Sequence, residues 1–73
     1  MTQQERARVE RIVNELRQVV SDEDDQDVAR PIIMAIHSLC RVCGVTMTGR
    51  EHRDMMRAVA TNRMTRGPRQ PER

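Results

Sequence analysis

The chain has 73 residues, among them 13 Arg and 11 acidic residues for a formal net charge of +2, and it contains no Phe, Tyr, Trp or Lys. That length holds one domain, near the lower limit for folding without a metal, disulfides or a partner. Leu, Ile and Val number 14, about 19% and at the edge where chains become disordered, but the small net charge lacks the self-repulsion that accompanies disorder.

The missing aromatics exclude a base-stacking platform for single strands and an aromatic cage. The opening MTQQERARVE has no apolar core of a signal peptide, and no apolar run reaches membrane-spanning length, so a cytoplasmic chain is expected. There is no Gly-rich phosphate loop, HExxH motif or nucleophile elbow. A small binding protein that is not an enzyme, with no catalytic residue and no cofactor, is therefore the expectation.

Val9, Ile12, Val13, Leu16, Val19 and Val20 recur at spacings of three and four and fall in one stripe roughly 120° wide. This is one face of an amphipathic helix. Thr2 with Glu5 three positions on forms a capping box, so helix 1 is expected over about 3–20. Its stripe also fits a short coiled coil and leaves open whether it closes internally or in a dimer.

The run SDEDDQD, residues 21–27, lacks the Gly and Glu that a calcium loop needs at its sixth and twelfth positions, which here are Asp27 and Ile33. Asp25 or Asp27 can instead serve as N-cap of the next helix, where the dipole favours negative charge. An acidic contact surface made by Asp22, Glu23, Asp24 and Asp25 is the alternative.

Helix 2 is expected over about 28–43, with Pro31 in its first turn, where a missing N–H matters least. Its apolar residues, from Val42 at one edge to Ile33 at the other, fill an arc of about 180°. One neighbour cannot cover so wide an arc, which makes helix 2 central, and Gly44 is its natural left-handed cap. A second capping box, Thr48 with Glu51, opens helix 3 over about 49–63, on which Arg50, Arg53 and Arg57 share a strip and Asp54 can pair with Arg50 at i,i+4. The expected fold is thus all-α: a compact three-helix bundle over residues 1–63, then a disordered Arg/Pro-rich tail over 64–73. Residues 1–27 hold four Arg and eight acids, residues 28–73 nine Arg and three acids, so the near-neutral total conceals a bipolar chain.

Cys40-Arg41-Val42-Cys43-Gly44 has the shape of a zinc knuckle, and His37 and His52 would complete a four-ligand set with Cys40 and Cys43. Against it, His37 and Cys43 lie about 9 Å apart along a continuous helix. Both cysteines also fall inside the apolar arc, where free Cys behaves as a small hydrophobe, and a redox pair lacks its usual βαβ setting. His52 sits amid the apolar arc of helix 3, as a packed histidine would, and His37 at the edge of helix 2's arc. Met55 and Met47 suit gap-filling in an aromatic-free core. Met34 projects between Arg30 and Arg41 on the polar side of helix 2, where a flexible apolar side chain suits contact with a partner protein.

The Arg strip could instead meet phosphates, and three short helices with a Gly-containing turn have the outline of a helix-turn-helix. The would-be recognition helix nevertheless begins at Gly49 and offers no Asn or Gln near its start to read adenine. Direct binding to nucleic acid is therefore not expected, and a nucleic-acid module or a zinc-stabilised mini-domain is the alternative to a protein-binding surface.

The aromatic-free, all-Arg composition, the segments VARPIIMAIHSLCRVCG and REHRDMMRAV and the Arg/Pro tail together resemble the small transcription regulators encoded by Xanthomonas-infecting phages. The resemblance covers the whole chain but carries no diagnostic motif, so no residue role transfers. It implies a protein of the host bacterial cytoplasm that binds host RNA polymerase at the β′ N-terminal region and the β flap. It also implies inhibition of initiation through interference with σ-dependent promoter recognition, and antitermination. On this reading Arg30, Met34, Arg41, Arg50, Arg53 and Arg57 form much of the partner surface, Asp22 to Asp25 form a second contact, and the protein is a monomer.

Overall fold

Local capping chemistry starts the first helix where the sequence places it. Thr2 is extended, its hydroxyl accepts the Glu5 N–H and its own N–H donates to the Glu5 carboxylate, both at 3.1 Å. The Thr2 N–H, and after it the Thr2 hydroxyl, bond to the Glu5 carboxylate and hold it below its ordinary value, since such bonds favour the charged form. The computed structural model describes residues 1–66 and consists of α1 (Gln3–Asp22), α2 (Gln26–Val42) and α3 (Gly49–Arg66), with no strand among the described residues. None of these helices is long and apolar enough to cross a membrane.

α2 begins two residues before the expected Val28 because Asp25 is the N-cap: its carboxylate accepts the Asp27 N–H at 2.9 Å and its carbonyl accepts from Val28 and Ala29. Pro31 consequently lies in the second turn, not the first. It sits on the exposed side of the helix, where water can meet the carbonyl its missing N–H leaves unpaired. The C-terminus closes as a Schellman motif, in which Val45 N–H donates to the Cys40 carbonyl and Gly44 N–H to that of Arg41. Gly44, at φ +77, takes the left-handed conformation this motif requires.

The core is small. Val13 and Val20 from α1, Ala29, Ile33, Ile36 and Cys40 from α2, Met47 from the connection and Val59 from α3 form it, so α2 supplies half and is central as its wide apolar arc predicts. Met47 is buried and Met55 packs half-buried against the cluster, in keeping with their gap-filling role. The second capping box is one-sided: Glu51 N–H donates to the Thr48 hydroxyl at 3.2 Å, but the Glu51 carboxylate accepts the Thr48 hydroxyl and Arg17 Nη2 rather than the Thr48 N–H.

α1 and α3 both outrun their expected ends, and for one reason. The last turn of α1 has no basic residue and no glycine follows it, so its terminal carbonyls need donors from elsewhere. α3 supplies them. Asn62 Nδ2 donates to the carbonyls of Ser21 and Glu23 at 2.7 and 2.9 Å, and Arg66 Nη1 donates to that of Asp22 at 2.8 Å. Residues 64–66, expected in the tail, are therefore helix. The remainder of that tail lies outside the described residues.

Two substitutions separate these contributions. Ile36→Ala, at a fully buried site, is expected to cost about 2–5 kcal/mol in urea denaturation. Asn62→Ala leaves two carbonyls without their donor and is expected to cost about 1–3 kcal/mol.

Candidate functional site

At 100° per residue Arg30, His37, Arg41 and Met34 fall within about 60° of α2, on the flank turned toward α3. His37 fixes that orientation. Its Nε2 lies 2.9 Å from Nδ1 of His52 on α3, with ring centroids 5.2 Å apart and planes tilted by 38°. One ring donates and the other accepts, and the tautomers set which. Both rings are half-buried, so the bond is partly shielded from water.

The expected partner-binding residues of α2 and α3 are exposed. Arg30, Met34 and Arg41 project from α2, and Arg53 and Arg57 from the adjoining strip of α3; all are exposed, Met34 at 57%. Arg53 reaches back over the start of α3, its Nη1 close to the Cα side of Gly49. Arg50 shares that strip of α3 and is exposed as well. The ion pairs among the described residues are Arg6–Glu10, Arg17–Glu51 and Arg66–Asp24, so none of these five arginines is neutralised there. The expected Arg50–Asp54 pair does not form; Asp54 instead lines the groove between α1 and α3 with Arg17 and Met55.

Of the four acids expected as a second contact, Asp22 is exposed and Glu23 and Asp25 are half-buried. Asp24 is buried, 5% exposed, and lies 3.7 Å from Arg66. Glu23 accepts the backbone N–H groups of Asp24 and Asp25, Asp25 caps α2, and Asp22 accepts from Gln18. Arg63 lines a shallow cleft with Asp25 and Asp27. The acids thus close the α1–α2 turn and face the basic end of α3, so the bipolarity of the sequence is partly cancelled in space. The arginines that make no ion pair among the described residues are Arg8 and Arg11 on α1, Arg30 and Arg41 on α2, and Arg50, Arg53, Arg57 and Arg63 on α3.

The candidate zinc set is not assembled. His37 and His52 meet, but among the described residues no group of three or more His, Cys, Asp or Glu could hold a metal ion. The reason is helical phase: Cys40 and Cys43 turn away from His37 by roughly 60° and 120°, and both line the opening beside Val13 and Arg17 of α1. Both are free thiols, Cys40 buried and Cys43 half-buried.

Sequence reasoning placed the two histidines separately and missed their bond, because nothing in a single chain fixes the rotation of α2 against α3. It also missed Asn62 and Arg66. The one available signal was negative, namely an α1 terminus with no cap of its own. A double-mutant cycle with His37→Ala and His52→Ala is expected to give a coupling of about 0.5–1.5 kcal/mol in thermal or urea unfolding; additive effects would show that the pair contributes no mutual stabilisation.

Compared with known proteins, the chain matches no family model, no curated sequence and no solved structure.

Proposed function

We propose that the chain is a protein-binding regulator that docks through the α2–α3 face, and that its partner is host RNA polymerase. What supports the docking reading is that Arg30, Met34 and Arg41 share an exposed strip of α2 beside His37, whose bond to His52 turns that flank toward α3, and that Arg53 and Arg57 are exposed on α3. Guanidinium groups pair bidentately with carboxylates, and a flexible exposed methionine among them provides an apolar anchor. The partner surface this suits is acidic, with a small apolar recess for Met34. The choice of polymerase rests on the resemblance in composition and central segments, which places the partner contacts at the β′ N-terminal region and the β flap.

A chain of 73 residues cannot block a large enzyme by bulk. It acts by occupying a surface that another component needs, or by shifting two partner elements relative to one another and so weakening σ binding through linkage. Initiation at σ-dependent promoters falls on this reading, and terminator read-through by the elongating enzyme is the second consequence. The site of action is the host bacterial cytoplasm.

Capture of host proteins on the tagged chain is expected to recover polymerase subunits, with inhibition of promoter-dependent transcription by the purified protein. Met34→Ala is expected to weaken the complex about tenfold and Arg53→Glu with Arg57→Glu about tenfold or more, the latter with altered salt dependence of association. Unchanged affinity in both variants would remove the α2–α3 face from the interface. Binding of random duplex at micromolar protein, weakening steeply with salt, would favour the nucleic-acid reading instead.

A further inference from the structure

The bond between His37 and His52 is set up to respond to protons. The ring centroids stand 5.2 Å apart and the facing nitrogens 2.9 Å apart, and the difference is two imidazole radii, so the rings point straight at one another. That alignment is the geometry of a direct N–H···N hydrogen bond. A metal ion held by both nitrogens would instead need them to converge on a third point. Between Nε2 of His37 and Nδ1 of His52 there is room for one proton. With both rings neutral, one donates and the other accepts. A first added proton goes to the outward nitrogen of the donating ring and strengthens the bond, since an imidazolium then donates to a neutral ring. A second has to go to the accepting nitrogen, which sets two N–H groups against one another and puts two positive rings in contact.

We infer that this pair is a pH-sensitive latch, which seats the start of α3 on α2 while one proton lies between the rings and releases it when both rings become imidazolium. The charged groups around the pair oppose the doubly charged state. On α2, Arg41 lies one turn beyond His37 and Arg30 two turns before it on the same flank, both exposed and without an ion pair among the described residues; Cys40, a turn from His37, is a buried free thiol. On α3, Arg53 follows His52 and Glu51 precedes it. From α1 comes Arg17, which together with the Thr48 hydroxyl engages the Glu51 carboxylate, so that carboxylate is committed elsewhere. The far end of α3 stays tied to α1 through Asn62 and Arg66, so release loosens the first turns of α3, where Arg53 lies. The latch is a property of the chain alone and needs no partner. In the unfolded chain both rings take up protons, whereas the folded pair takes up one, so stability falls as pH falls.

Urea denaturation of the full chain at about pH 7.5 and about pH 5, either side of the histidine range, tests the latch against the double variant His37→Gln with His52→Asn. The Gln amide stands near the place of Nε2 and the Asn amide near that of Nδ1, so the variant keeps a hydrogen bond that does not titrate. Every other titrating group is common to both proteins. Between the two pH values the wild-type unfolding constant is expected to rise about tenfold more than that of the variant, as follows when the unfolded chain binds two protons and the folded pair one. An equal pH response in the two proteins overturns the latch. Proton NMR of the wild-type rings gives a second measurement that needs no variant: the two histidines are expected to titrate in two separate steps. Two coincident, independent single-proton curves overturn the latch even where the double variant does not fold.

Discussion

α3 contributes one fully buried side chain, Val59, to the core, and a helix with so little apolar anchorage is positioned by its polar bonds. Those bonds are spread along its length: Glu51 to Arg17 at its start, His52 to His37 in its second half-turn, and Asn62 and Arg66 to the end of α1. The last set matters most. It satisfies backbone carbonyls that α1 cannot satisfy itself, and hydrogen bonds to such groups are costly to leave unmade. Because Asn62 bonds two carbonyls and Arg66 a third, α3 is held in register as well as in contact. The half-exposed pair Arg17–Glu51, with side chains 38% and 45% exposed, adds little by itself, but Glu51 is also tied to Thr48 and so fixes where the helix begins.

That register decides which side chains α2 and α3 present together. A slip of one residue in α3 would rotate its faces by 100°, separating His52 from His37 and turning Arg53 and Arg57 with it. The α2–α3 face therefore depends on contacts at the far end of α3. In turn, the acids that would have balanced this face are occupied in the turn between α1 and α2, with Asp24 buried against Arg66. Closing the turn with carboxylates and opening the α2–α3 face with guanidinium groups are two sides of one distribution of charge.

Much of the fold was legible because it follows from local chemistry. Thr2 with Glu5, Asp25 ahead of α2 and Gly44 after it are caps whose donors and acceptors lie within a few residues, and the apolar stripes of α1 and α2 announce their buried faces. What was not legible involves pairs far apart in the chain. The end of α1 extends to Asp22 because residues about 40 positions later donate to it, and the start of α2 moves Pro31 into the second turn because the Asp25 cap sits two residues earlier than the apolar period suggests. For the candidate surface, Arg30, Met34 and Arg41 were found from their phase on one helix, and Arg53 and Arg57 from theirs on another. The withdrawal of Asp24 into the interior and the bond between His37 and His52 required the packing of three helices. The zinc set failed at the same step, since spacing along the chain says nothing about phase between His37 and the two cysteines.

The central helix is then a strut between two faces of different chemistry, one basic with a methionine, the other aliphatic with an alanine at its midpoint. A seventeen-residue helix of about five turns holds these faces apart.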